Sequence, residues 1–524
     1  MSQVASPDLP ASADIVVVGA GHNGLVSAAY LAAAGLEVVV LEARDVVGGN
    51  TVTEELTLPG FAHDSCSSAH VLIQSNPLIR DDELGLVSDH GLDYILTDPA
   101  VVMPQEDGDA LVMRRDLDAT VDEIARWSAK DAATFRRLHE EWKDGIAAAH
   151  GRWSSALPIG DGPAAQRYLE LRQRSAWDVI HASYEHEVVR AFVLWMAMAT
   201  IQDPRRVGTG FLPQSLAAGR LDFGWSTPVG GSIALPQALQ RKVEAHGGTV
   251  VTSAQVGALE VDGGRLSAVR TTDGRRVEAR RGVVSSAHLS QLADLVEGSD
   301  VPHDLLDAKK RWTPGLSVFA VHAALRDDLT FTSQGRQLQS TAAGFGGTAG
   351  VERQLDAFWR GEVDATDPWL LVVDQTVVDK SRAPESGGAT FKILTIAPYE
   401  LAGGRDWEEA KVEFGQAAMA KVAERAQGLD ADDILAVRYE SPLDVAAHNV
   451  HNLGGSCHGG EFTTDDGGVI PGWTSYGSDG LDGLYFTGAT THPGGSVSGR
   501  PGRNAARYVL HDLGLDPSAV MGAG

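Results

Sequence analysis

Three stretches of the chain predict a two-part α/β protein: a Rossmann-like parallel sheet with a β-meander that binds a dinucleotide, joined to an α+β unit with an antiparallel sheet and helices. Asp14 to Gly49 passes from an apolar run through a glycine turn and a helical pattern to a second apolar run. Residues 249–287 form short β-rich runs divided by glycine turns. Leu316 to Ile396 contains several apolar runs of strand length.

The first stretch carries the chemistry. Ile15 to Val18 is apolar and β-branched throughout, as in a strand buried on both faces. Gly19, Gly21 and Gly24 follow as G-x-G-x-x-G. The first glycine permits the tight turn, the second lets backbone approach a pyrophosphate, and the third lets helix pack on strand. The helix from His22 to Ala34 aims its N-terminal amides and positive dipole end at phosphate. Gly35 stops it, and Leu36 to Leu41 is the second strand. Glu42 ends that strand, where a carboxylate accepts both ribose hydroxyls and disfavours a 2′-phosphate, so NADP is not expected. A glycine motif alone would mean little in a chain with 59 glycines. Here strands, helix and acid stand in register. These residues leave NAD and FAD open.

A length of 524 residues suits two or more domains. The formal charge of −27 argues against nucleic acid and an anionic membrane surface. Cys66 and Cys457 are the only cysteines, which excludes a disulfide framework, fits a cytoplasmic location and provides no C-x-x-C pair. No run reaches the roughly 18 apolar residues of a membrane span, so membrane contact is not indicated. Residues 1–13 are polar and rich in Pro, Ser and Ala, and read as a disordered leader.

The nucleotide-binding unit is expected to be discontinuous, from 14–75, 225–300 and 446–524, and the substrate unit to occupy 76–224 and 301–445. Leu117 to His150 reads as helices, with Ser128 and Asp131 in an S-x-x-D capping pattern. Tyr168 to Thr200 is also helical. Its end, AFVLWMAMAT, is apolar nearly all round and suits either a buried core helix or the wall of an apolar cavity. Ile233 to His246 is a helix ended by Gly247-Gly248. Turns at Asp262-Gly263-Gly264 and Asp273-Gly274 divide strands into hairpins. Leu316 to Leu325, Trp369 to Val378 and Phe391 to Ile396 are strands, and Asp406 to Gln427 is a helix. A last helix runs from Gly502 to Leu513. GFGGTA, Gly344 to Ala349, superficially fits G-x-G-x-x-A but follows the unstrandlike RQLQSTAA, so it is set aside as a nucleotide site.

The C-terminal run GLYFTGATTHPGGSVSGRPGRNAARYVL leads from a short strand, Leu484 to Thr487, through a dense glycine turn into a helix. With this run the sequence resembles the phytoene-desaturase-like branch of FAD-dependent oxidoreductases, within the flavin amine oxidase superfamily. Matching features are the N-terminal G-x-G-x-x-G, Glu42, an R-x-x-x-G-G at Arg44, Gly48 and Gly49, and a G-G-x-x-x-L at Gly230, Gly231 and Leu235. The C-terminal signature matches from Leu484 to Ala506. GFAHD, VVDKSRAPESG and PGW (Pro471 to Trp473) match between them, so the likeness spans nearly the whole chain.

The resemblance implies non-covalent FAD. Gly19, Gly21 and Gly24 would face the pyrophosphate and Glu42 the adenosine ribose, with Arg44 and Gly49 nearby. Val256, placed in the TVVTSAQV strand, would hold adenine through its backbone. Gly488, Ala489, Gly495, Ser496 and Val497 would line the ribityl and flavin side. Arg500 departs from the family pattern, where a small or apolar residue is expected.

The expected chemistry is dehydrogenation of an apolar or aromatic small molecule, with oxygen, a quinone or another acceptor taking the electrons. Amine oxidation, a redox-neutral FAD-dependent isomerisation and a non-enzymatic FAD-binding role are the alternatives. His63, Asp64 and Arg500 are the candidate catalytic groups, with a turn-capping role the plainer reading of Asp64 and a solvent-facing or structural role the plainer reading of Arg500. His448, His451, Cys457 and His458 invite a metal reading, but no carboxylate pattern accompanies them and no metal is expected. His492 is expected to orient backbone, and Trp473 to flank substrate or pack.

Overall fold

The computed structural model describes residues 8–461 and 475–522. Two sheets organise the chain. The first runs Val296–Glu297, Val256–Asp262, Arg265–Thr271, Arg276–Ser285, Ser12–Val18, Val38–Leu41 and Thr249–Val251, with Leu484–Phe486 also paired to Arg276–Ser285. Its nucleotide-binding half is parallel: Val16 stands opposite Val39 and Val283, and Val40 opposite Val250. Its other half is the expected meander, antiparallel across the turns at Gly263-Gly264 and Gly274. The strand Arg276–Ser285 belongs to both halves, because ten residues are long enough to pair antiparallel at one end and parallel at the other.

The first strand begins at Ser12, with Ala13 buried beneath it. The expected leader is therefore too long by two residues. Its first seven lie outside the described residues. The second strand opens at Val38 rather than Leu36. Val256 does not continue the strand Thr249–Val251 but opens the next one, a correction to its expected place.

The second sheet runs Ile434–Glu440, Val318–Leu325, Ala389–Ile396, Leu370–Asp374, Ala342–Phe345, Val101–Pro104 and Ala110–Met113. It is antiparallel except where Ala342–Phe345 lies parallel to Val101–Pro104. All eight residues of Val318–Leu325 are buried. Val318 and Ala320 face the helices between 117 and 223, while Phe319 and Val321 face the helix Trp407–Ala423. A strand covered on both faces has no solvent side to show, which is why its sequence is apolar at every position but His322, which is buried 3.3 Å from Glu440.

Glu187–Met198 is a core helix, as its apolar circumference suggests, with nine buried residues. The Trp195 indole N–H donates to the Leu370 carbonyl at 2.8 Å, and its ring lies against Gly344, where a Cβ would come within 2.6 Å of it. The residues just past this helix, Ala199 and Thr200, reach the central cavity. Ser128 caps its helix as the spacing predicts. Asp131 instead accepts the amides of Glu185 and His186, tying two helices together.

One buried ion pair links the segments that join the sheets. Asp64 and Arg382 make two hydrogen bonds, at 3.0 and 2.7 Å, with side chains 1 % and 0 % exposed. Asp64 also accepts from Thr53 and from the Ser232 amide. Burial opposes its ionisation, but the Arg382 guanidinium and these donors hold its carboxyl down to about 2, against 3.8 ordinarily. A lowered folded-state pKa gives stability that is complete above the unfolded value and lost as pH falls through the folded one. Asp64→Asn should therefore lower unfolding free energy by about 3 kcal/mol, because it takes away the two-bond carboxylate partner of a buried cation and leaves Arg382 only the more distant Asp379, at 3.5 Å. Urea titrations should show the wild-type advantage intact above pH 4 and shrinking toward pH 2.

Candidate functional site

A cavity of about 530 Å³ opens at the glycine turn that follows the first strand and runs between the two sheets. The three glycines hold the geometry their spacing requires. Gly19 has φ +89°, and a Cβ there would stand 2.4 Å from Ser286 Oγ. A Cβ on Gly24 would stand 2.2 Å from the Gly19 carbonyl oxygen. Gly21 lines the cavity with no atom within 4 Å of its would-be Cβ, so its open side belongs to a ligand. The helix His22–Ala33 starts there with no side-chain cap and no acid in its first turn, leaving its amides to face an anion.

Glu42 lies at the rim of the same turn. Its carboxylate accepts the amides of Ala20 at 2.7 Å and Arg44 at 2.9 Å, which fix its position while lone pairs remain. Burial raises its pKa against those donors. Gly49, Val256, Gly488, Ala489, Ser496 and Val497 also line the cavity. Ser496 is a non-glycine residue at φ +82°, the kind of backbone strain that a binding site retains.

Five expected site residues do not line the cavity. Arg44 turns to Glu54 at 2.7 Å, and Gly495 serves packing, since a Cβ there would meet the His458 carbonyl oxygen at 2.1 Å. His63 is buried against Thr57 at 2.8 Å, and Asp64 is consumed by Arg382. Arg500 is the fifth correction: its guanidinium binds Ser155 Oγ and the Ser75 carbonyl, bracing the start of the last helix. None of the three expected catalytic groups lines the cavity, because each has its polar atoms engaged inside the protein. His492 reaches the Trp153 carbonyl at 2.6 Å, away from the cavity. Trp473 and the PGW motif lie outside the described residues.

The loop at 449–458 closes one side of the cavity. Asn50 holds it, donating to Asn452 Oδ1 at 2.7 Å and to the Cys457 carbonyl at 3.1 Å. His448 meets Glu54 at 3.1 Å, away from His451, which packs on His288. Among the described residues no group of three His, Cys, Asp or Glu is gathered as a metal site.

Sequence reasoning missed several cavity residues. Lys392 projects from the strand Ala389–Ile396 and donates to the carbonyls of Asp64, Ser65 and Cys66 and to Ser68 Oγ, at 2.6–3.2 Å. Burial lowers its pKa. The signal was a lysine amid an apolar strand. Cys66 and Cys457, far apart in sequence, both line the cavity, and Cys457 Sγ lies 3.0 Å from His458 Nδ1. Arg220 and Trp225 line the far, apolar part with Leu216, Leu371 and Leu394.

Buried, unpaired polar atoms test whether a dinucleotide fits. His22, His288 and His451 each leave Nε2 buried without a partner, and all three residues line the cavity. Burial lowers their pKa values to about 4, 2 and 4, so they are neutral near pH 7. Neutral imidazoles, free helix amides, a carboxylate at the second strand and an open glycine suit the phosphates and ribose of a dinucleotide.

Residues 24–510 match the family of flavin-containing amine oxidoreductases. The chain belongs to that family. It is an FAD-dependent oxidoreductase. Over 97 % of each chain it is 29 % identical to one component of the limonene dehydrogenase of Castellaniella defragrans. It is 23 % identical to the lycopene-forming phytoene desaturase of Pantoea ananas, over 95 % of this chain and 99 % of the other. Among solved structures, putrescine oxidase bound to putrescine superposes with a TM-score of 0.61 at 18 % identity, over 97 % of this chain and all of the other, a likeness of fold. Among the described residues no helix is long and apolar enough to cross a membrane.

Gly21 separates cofactor binding from folding. At φ −63° and ψ 158° it sits where alanine is unstrained, and its side faces only the cavity. Gly21→Ala should keep the melting temperature of the FAD-free protein while cutting the flavin content of purified protein about tenfold or more, as a methyl displaces the close ligand contact. Gly24→Ala should lose both, because its methyl strikes backbone. Flavin absorbance per chain and thermal melts distinguish the two.

Proposed function

We propose that this protein dehydrogenates an apolar small molecule. The observation that carries the reading is the continuity of one cavity from the glycine turn to a wall formed by Val71, Leu72, Ala199, Leu216, Leu371 and Leu394. Bound FAD supplies a two-electron hydride acceptor. The substrate gives up a hydride and a proton and gains a double bond, and an oxygen, quinone or other acceptor removes the two electrons.

In this reading Gly19, Gly21 and Gly24 face the pyrophosphate, Glu42 the adenosine ribose, and Val256 the adenine. Gly488, Ala489, Ser496 and Val497 approach the flavin side. The apolar wall excludes water and orients the carbon skeleton. Limonene dehydrogenase and phytoene desaturase, the relatives named above, act on hydrocarbons, which supports an apolar skeleton for the substrate here.

Amine oxidation is less well supported. The cationic side chains lining the cavity, Arg220 and Lys392, both lie on the substrate sheet's side of it, where they repel an ammonium group. The lining carboxylates, Glu42 and Asp294, sit with Val256 at the other end.

Anaerobic mixing of the flavin-loaded protein with limonene, micellar phytoene and putrescine tests the reading. An apolar compound should bleach the visible flavin band and yield a product with one more double bond. Bleaching by putrescine alone, with ammonia released on admitting oxygen, would establish amine oxidation instead. Substrate isomerisation with the flavin needed only in its reduced form would establish the redox-neutral alternative.

A further inference from the structure

Three arginines are buried among the described residues, and two have carboxylate partners. Arg382 pairs with Asp64 and Arg503 with Glu83, each within 2.7 Å. Arg220, 6 % exposed in the last turn of the helix Leu212–Phe223, has none. Its Nη1 is buried without an acceptor. Its guanidinium carbon stands 4.2 Å from the centre of the Trp225 ring, and Trp225 Nε1 is likewise buried without an acceptor. Both residues line the cavity. Burial lowers the Arg220 pKa to about 9 with no charged neighbour to offset it.

An unpaired buried cation is costly, and so is an unpaired indole N–H. Here the two lie side by side at the apolar end of a ligand cavity. The planar fork of a guanidinium matches a carboxylate. Lys392 adds positive potential nearby, but its donors are already spent on three carbonyls and Ser68.

We propose that Arg220 and the Trp225 indole form a carboxylate-recognition subsite, so that the substrate is an apolar acid rather than a plain hydrocarbon. This rests on the reading of the cavity as the site of dehydrogenation. The acid would place its carboxylate on Arg220 and its carbon skeleton against Leu216, Leu371 and Leu394, which fixes which carbons face the cofactor. The carbonyls of the flavin ring are the other acceptors that could meet this cation, and the experiment separates the two.

The flavin-loaded protein is titrated with matched pairs: octanoate and octanamide, phenylacetate and phenylacetamide, cyclohexanecarboxylate and its amide. Flavin absorbance and calorimetry report binding. At least one acid should bind about tenfold or more tightly than its amide, the difference expected of a charge-assisted hydrogen bond. Arg220→Gln should abolish that preference, Arg220→Lys should keep part of it, and Trp225→Phe should weaken it, all with unchanged flavin content. Arg220→Met should melt no lower than wild type without ligand, since it removes an unpaired charge. Acids and amides binding alike, or neither binding, would overturn the proposal. So would loss of flavin or a shifted flavin spectrum in ligand-free Arg220→Gln, which would assign the cation to the cofactor. A fall in melting temperature in Arg220→Met would make the arginine structural and overturn it too. Bleaching by a hydrocarbon without acid binding would leave the dehydrogenase reading standing and this one fallen. Acid binding through Arg220 with no ligand able to bleach the flavin would do the reverse.

Discussion

The buried pair of Asp64 and Arg382 is the constraint on which the cavity depends. Asp64 receives Arg382, Thr53 and the Ser232 amide, so it binds the loop after the first nucleotide unit, the start of the helix Ala234–Ala245 and the rim of the second sheet. The next residues, Ser65 to Ser68, are gripped from the other side by Lys392. Cys66, Ser67, Ser68 and Ala69 then form one wall of the cavity. A wall of loop backbone would otherwise be free to move. Two charges fully removed from water, each satisfied by several partners, hold it in one place. Two of the motifs that carried the family resemblance, GFAHD and VVDKSRAPESG, are the halves of this one interaction.

What was legible in the sequence follows the range of the forces involved. The glycine turn, its helix and Glu42 interact within a few dozen residues, so their spacing specifies their geometry. The meander was readable for the same reason, since its hairpins close across two and four residues. The sequence leaves Asp64 between a catalytic and a structural role, because a carboxylate in a turn-rich loop has the same signature whether it faces substrate or a buried arginine more than 300 positions away. Arg220 passed unnoticed because it sits on an ordinary-looking helix, and its lack of a partner exists only in three dimensions. The placement of Cys66 and Cys457 on the wall of one cavity is of the same kind.

GFGGTA shows why local pattern needs its sheet. The residues before it carry no strand pattern, yet Ala342–Phe345 is a strand and Thr348–Trp359 the helix that follows. The motif is nonetheless closed to phosphate. The Gly347 amide donates to Asp367, and the Thr348 amide to Glu187, at 2.9 and 3.0 Å. Two carboxylates already occupy the positive end of this helix, whereas the helix at Gly21 has no acid there. The same turn chemistry gives a binding site in one sheet and a structural joint in the other.

The two ends of the cavity are built from different materials. At the nucleotide end the contacts come from glycines, helix amides and peptide carbonyls, whose placement is set by backbone geometry and changes little when side chains are replaced. At the apolar end they come from side chains on separate helices and strands: Leu216 and Arg220 on one helix, Leu371 and Leu394 on two strands, Trp225 on the turn between. Exchanging any of these alters the shape or charge of that end of the cavity while the glycine turn keeps its backbone geometry. The side-chain-built end can therefore change while the backbone-built end is kept. Arg220, buried over the Trp225 ring with no carboxylate to meet it, belongs to this second, side-chain-built end.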